Sequence, residues 1–100
     1  MALLDDVRIY LDIESLDSFT QQKLNLIIAN GKQRLRKIVP DWTDEDFENR
    51  DCSANSLLLD YCRYARSNAS EIFLKNYREE LLQERQEYEV RAEEALSDED

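Results

Sequence analysis

After Pro40 the chain runs sixty residues to Asp100 with neither glycine nor proline, and from about Ser56 to Glu94 it carries the pattern of one continuous helix. Apolar residues recur at spacings of three and four through Leu58, Tyr61, Cys62, Ala65, Ala69, Ile72, Phe73, Tyr77 and Leu81, with Leu57, Leu59 and Leu82 widening the stripe. At about 1.5 Å per residue such a helix is on the order of 58 Å long. A compact domain of this size has a radius of gyration of about 13 Å and a diameter of roughly 35 Å. The helix outgrows its domain, so part of its apolar stripe needs cover from another molecule or another copy. Ser67-Asn68-Ala69-Ser70 is its weakest stretch, because Ser and Asn compete for backbone hydrogen bonds, and a kink or break there is the alternative to continuity.

The first forty residues read as two further helices. Leu4, Val7 and Leu11 keep helical spacing, with Asp5 and Asp6 near an N-terminus that favours negative charge. A polar connector, Asp12 to Asp17, holds Ile13 and Leu16, and Ser18-Phe19-Thr20-Gln21 fits a capping box. The second helix carries Leu24, Ile27, Ile28, Leu35 and Ile38 and ends before Pro40, which disfavours helical geometry at Val39. Gly31 inside it costs about 1 kcal/mol against alanine, which marks a close helix crossing or, alternatively, a kink. Thr43 can cap a short turn through Phe47. The predicted fold is all-α: a small bundle of about four helices, with a long C-terminal helix extending beyond the domain. Residues 1–82 form the helical domain, and its expected core is Leu4, Val7, Leu11, Leu24, Ile27, Ile28, Leu35, Leu58, Tyr61, Cys62, Ala65 and Phe73. Residues 83–100 form an acidic C-terminal extension, expected to be loose in the free subunit and to order on assembly. Its stripe thins to Tyr88, Val90 and Leu96, and disorder is expected from Ser97 onward.

Charge narrows the function. Twenty-three acidic against 13 basic side chains give a net charge of −10, which argues against nucleic acid or an anionic membrane as the main partner. Lys32, Arg34, Arg36 and Lys37 could form a phosphate patch, but Asp41, Asp44, Glu45, Asp46, Glu48 and Asp51 follow at once and cancel the field within a Debye length of about 8 Å. No window approaches a membrane span, the start lacks a basic leader, and the expected setting is cytoplasmic. With no histidine and no recognisable nucleophile setting, the chain is not expected to be an enzyme, and no catalytic, cofactor or metal residue is assigned. The acidic loop lacks the glycine and the spacing of a calcium-binding loop. Cys52 and Cys62 are expected to be two thiols without a disulfide between them. Five residues are candidate partner contacts: Trp42, Phe47, Tyr77, Tyr88 and Val90. Trp42 and Phe47 either tuck under the core or stand exposed as anchors in a charged loop.

The residues together resemble a known family. The stretch Leu-Leu-Asp-Asp-Val-Arg-Ile-Tyr-Leu-Asp-Ile, a second helix ending near Gly-Lys-Gln-Arg-Leu, an acidic aromatic loop, then Leu-Leu-Leu-Asp-Tyr-Cys-Arg-Tyr-Ala-Arg-Ser-Asn-Ala and Phe-Leu-Lys-Asn-Tyr-Arg-Glu-Glu-Leu are similar to the small head-tail connector, or adaptor, proteins of tailed bacteriophages and prophages. The similarity covers roughly Leu3 to Val90 and is most specific from Asp60 to Leu82. It implies an all-helical subunit of a homo-oligomeric ring, usually twelvefold, beneath the portal protein at the head-tail interface of the virion. Such a ring extends the DNA channel, docks a downstream stopper or tail protein, and does no chemistry. The C-terminal helix and tail typically engage the portal, which here corresponds to the stretch after about Leu82. An acidic lumen lets DNA pass without specific binding. The competing reading, from a different class, is a small acidic regulatory protein of antitoxin or anti-repressor type that covers a basic partner. A free coiled-coil dimer is disfavoured because no strict seven-residue repeat is sustained.

Overall fold

The computed structural model describes the backbone of residues 2–14 and 17–97, with side chains described for 3–14 and 17–91. Among these it is all-helical, with six helices: α1 (Ala2–Tyr10), α2 (Ser18–Ile38), α3 (Asp44–Glu48), α4 (Ser53–Arg66), α5 (Ser70–Asn76) and α6 (Arg78–Ser97). Leu16, the side chain of Leu96 and residues 98–100 lie outside the described residues.

The expected single helix from Ser56 to Glu94 is instead three. The first break falls in Ser67 to Ala69, within the weak stretch that offered the alternative to continuity, and Asn68 is the stop. It takes a left-handed φ of 58°, and the amides of Asn68 and Ala69 bond back to the carbonyls of Ala65 and Tyr64 at 3.0 and 2.8 Å. That pair of bonds is the Schellman closure of a helix end, in which asparagine tolerates the conformation that glycine usually supplies. Asp12 closes α1 in the same way, with φ 57° and the amides of Asp12 and Ile13 bonded to Ile9 and Arg8 carbonyls at 3.1 and 3.0 Å. A second, one-residue interruption at Tyr77 separates α5 from α6.

The other helix ends follow local chemistry. Asp17, not Ser18, caps α2: its carboxylate accepts from the Thr20 amide at 2.7 Å, and this bond holds its pKa below the ordinary carboxylate value. Asp outcompetes Ser here because a charged acceptor also suits the helix dipole. Thr43 caps α3 as expected, in a reciprocal box in which the Asp46 amide donates to Thr43 Oγ1 at 3.2 Å and the Thr43 amide donates to Asp46 Oδ2 at 2.9 Å.

The core forms where α4 lies on α2. Leu24, Ile28, Gly31 and Leu35 of α2 face Leu57, Leu58, Tyr61 and Cys62 of α4. Gly31 is the contact that sets their separation: a Cβ there would stand 2.6 Å from Leu58 Cδ1 and 2.7 Å from Tyr61 Cδ1, so the glycine marks a close crossing. Leu3, Val7, Val39, Trp42, Phe47, Ala54, Phe73 and Leu81 complete the buried cluster, while Leu4, Leu11, Ile27 and Ala65 are only partly buried around it. Asn55 is the buried polar residue among the described ones, and its Nδ2 donates to the Phe47 carbonyl at 2.7 Å, tying α4 to α3. Arg50 pairs with both carboxylate oxygens of Asp6 at 3.0 and 2.7 Å, linking α1 to the α3–α4 turn.

Even with the long helix broken, the molecule measures 55 × 28 × 18 Å and has a radius of gyration of 15.1 Å, above the roughly 13 Å of a compact chain this size. Helix α6 makes much of that length, its twenty residues rising about 30 Å. The helix continues beyond Leu82 to Ser97, and Tyr88 packs against the core cluster. Contact with the core cluster therefore reaches as far as Tyr88.

Candidate interaction site

The structure separates the five candidate contact residues. Trp42 and Phe47, read as possible exposed anchors, are buried at 2% and 0% exposure. Their rings meet edge to face at 5.8 Å. Arg36 holds the corner between α2 and α3, its Nε donating to the Trp42 carbonyl at 2.9 Å and its guanidinium lying 5.6 Å from the Phe47 ring centre. The short α3 turns both aromatics inward, so they belong to the core and not to a partner surface. Tyr77 is half-buried in an aromatic group, stacked on Phe73 at 4.5 Å and edge-on to Tyr64 at 6.0 Å. Tyr88 is half-buried over the same corner as Trp42. The indole Nε1 is buried, and the Tyr88 hydroxyl near it falls short of hydrogen-bond geometry. Burial, with Asp46 nearby, pushes the Tyr88 hydroxyl's pKa up. Val90 alone of the five stands open, half exposed beside Arg91 on α6.

Other large apolar side chains carry the open surface. Ile9 and Tyr10 on α1, Phe19 and Leu26 on α2, Ile72 on α5 and Leu82 on α6 are all exposed. Phe19 and Leu26 lie seven residues apart, two turns along one outer face of α2. Tyr10 is tethered: its hydroxyl donates to the Asp60 carboxylate, which raises its pKa.

The basic run at the end of α2 divides in two. Lys32 and Arg36 both reach Asp44, at 3.4 and 3.1 Å, as the acidic loop led one to expect. Lys37 turns the other way, into an open groove between the end of α2, helix α5 and the first turns of α6. Ile38, Leu74 and Leu82 form its apolar floor, and Lys75, Arg78 and Arg85 join Lys37 on the rim. Spacings of four and three place Arg78, Leu82 and Arg85 on one face of α6, a signal in the sequence for part of this groove. The rest, Lys37 and Ile38 of α2 and Leu74 and Lys75 of α5, is brought in by the fold.

Chemically, the surface offers apolar contact and charge. The Cys62 thiol is buried and pushed up to about 12, so it is not a nucleophile at neutral pH. Both cysteines are free. Among the described residues no three His, Cys, Asp or Glu side chains converge as metal ligands, and no helix is long and apolar enough to cross a membrane. Compared with known proteins, the chain matches no family model, no curated protein and no solved structure.

Proposed function

We propose that this chain is a structural head-completion protein of a tailed phage or prophage, a subunit of a ring that sits under the portal, extends the DNA channel and docks the next connector or tail component. The reading starts from the sequence resemblance over Leu3 to Val90, and the all-helical fold agrees with what that resemblance implies. The observation that carries it is the distribution of open apolar side chains: they lie on α1, α2, α5 and α6 instead of lining one cleft. A binder of one partner concentrates its anchors in a single patch, whereas a ring subunit meets two neighbours and a further layer at once. The net charge of −10 per subunit suits a lumen through which DNA slides without being held.

Co-expression with the portal protein of the same genome tests the reading. Negative-stain microscopy should show an added ring layer on the portal, and mass spectrometry should find the chain in purified virions. A chain that leaves the portal bare, is missing from virions and instead co-purifies one-to-one with a basic regulatory protein refutes it.

A further inference from the structure

In a chain of net charge −10, four cations gather on one groove, and among the described residues no acidic side chain lines it. Arg85 has a partner, Glu89, at 3.1 Å. Lys37, Lys75 and Arg78 have no carboxylate within 4.0 Å among the described residues. Beneath them the floor is apolar, and Leu82 is 40% exposed. An occupant of this groove needs carboxylates for the rim and at least one aliphatic side chain for the floor.

The chain itself contains such a segment. Residues 92–100, Ala-Glu-Glu-Ala-Leu-Ser-Asp-Glu-Asp, hold five acidic residues and no basic one, with Leu96 between an acidic pair, Glu93 and Glu94, and an acidic run of three, Asp98 to Asp100. The segment cannot fill its own groove while α6 is intact. Leu82 stands about 22 Å from Ser97 along the helix, and residues 98–100 reach back at most about 11 Å. We infer that the Lys37, Lys75, Arg78 and Arg85 groove receives the acidic segment 92–100 of a second copy, with Leu96 over Ile38, Leu74 and Leu82. Groove and segment are different surfaces of one chain, so the contact is head-to-tail, and such a contact repeats until it closes as a ring or runs on as a filament. The inference rests on the ring reading for that closure, while the contact itself can be tested apart from it.

The test is a fluorescein-labelled peptide of residues 92–100 titrated with the full-length protein and followed by anisotropy. Saturable binding is expected that weakens at least about tenfold on raising salt from about 50 to about 300 mM, as a charge-rimmed site requires. Lys75→Glu/Arg78→Glu and, separately, Lys37→Glu/Arg85→Glu should each weaken it by about tenfold or more, and a Leu96→Ala peptide by about threefold. All four protein substitutions are at the surface, and unchanged thermal melts keep either pair interpretable if the other fails to fold. No saturation at 1 mM peptide, binding indifferent to both charge reversals, or a duplex DNA oligonucleotide that binds the groove in place of the peptide overturns the inference. Rings seen on a portal without peptide binding sink this contact alone; peptide binding by a chain that never meets a portal sinks the ring reading alone.

Discussion

Replacing Gly31 with alanine sets two physical effects of known size against each other. Helix propensity favours the change by about 1 kcal/mol, since Gly31 lies inside α2. Packing opposes it. The new methyl would stand 2.6 Å from Leu58 Cδ1, 2.7 Å from Tyr61 Cδ1 and 3.1 Å from Tyr61 Cε1. Neither neighbour can step aside into solvent, because Leu58 is 0% and Tyr61 3% exposed, and the Tyr61 ring is braced edge-on against Phe73 at 5.4 Å. Overpacking of this kind costs about 1 to 3 kcal/mol, and with three such contacts the upper part of that range applies. The net expectation for Gly31→Ala is a loss of about 1 to 2 kcal/mol, which lowers Tm by roughly 4 to 16 °C. Urea unfolding and circular dichroism melts measure it. Leu58→Ala alone should cost about 2 to 5 kcal/mol, and in that background the added methyl enters vacated space, so the two losses should fall short of additive by about 0.5 kcal/mol or more. A Gly31→Ala protein that melts higher than wild type would mean that propensity wins and that the α2–α4 crossing has room to spare.

Three further outcomes follow from the same structure. Stability should decline as pH rises above about 9: the unfolded chain then loses the Cys62 proton that the folded chain keeps to about 12, so the unfolded state binds fewer protons and about 1.4 kcal/mol is lost per pH unit from this group. The raised pKa values of Tyr10, Tyr77 and Tyr88 act in the same direction; Cys62→Ala should flatten the slope between about pH 9 and 10, and an unchanged slope would rule out the thiol as its source. Truncation after Leu82 removes Tyr88 from the core and should cost about 1 kcal/mol, or roughly 4 to 8 °C in Tm, whereas truncation after Arg91 should leave the melt unchanged; equal melts for both would put Tyr88 outside the core. At the left-handed turn of Asn68, Asn68→Gly should hold or raise stability and Asn68→Ala should lower it by about 1 kcal/mol, and an alanine variant as stable as wild type would contradict the Schellman closure.

Much of the fold was legible because it depends on local periodicity. The all-α class, the stripes of α2 and α4, the Thr43 cap and the close approach at Gly31 all lie within a few residues of the side chains that cause them. Val39, Trp42, Phe47, Ala54, Phe73 and Leu81 are buried for a different reason: the turn after Pro40 brings α3 against α4, and the break at Asn68 brings α5 beside α4 and α6 beside α2. Of these Phe73 and Leu81 sit on the stripe, and only Phe73 stood in the expected core. At Asn68 the polar run Ser67 to Ser70 signalled a possible break, while the apolar stripe argued for continuity, for a specific reason. Apolar spacing survives a left-handed C-cap, since Ala65, Ala69, Ile72 and Phe73 keep the three-and-four pattern across it, and periodicity is blind to the sign of φ at one residue.

That break matters for the interaction surface as well as for the fold. In an unbroken helix from Ser56 to Glu94, Lys75, Arg78, Leu82 and Arg85 would project beyond the domain with no second wall, as a charged stripe in solvent. The turn at Ser67 to Ala69 and the interruption at Tyr77 redirect the chain so that this stripe runs past Lys37 and Ile38 at the end of α2. Lys37 lines that groove, while Lys32 and Arg36 pair with Asp44 of the acidic loop. The left-handed turn at Asn68 and the interruption at Tyr77 thus gather four scattered cations into a rimmed groove, and the proposed contact fills it with the acidic segment of a neighbouring copy, because a chain's own segment begins near the far end of a helix about 30 Å long.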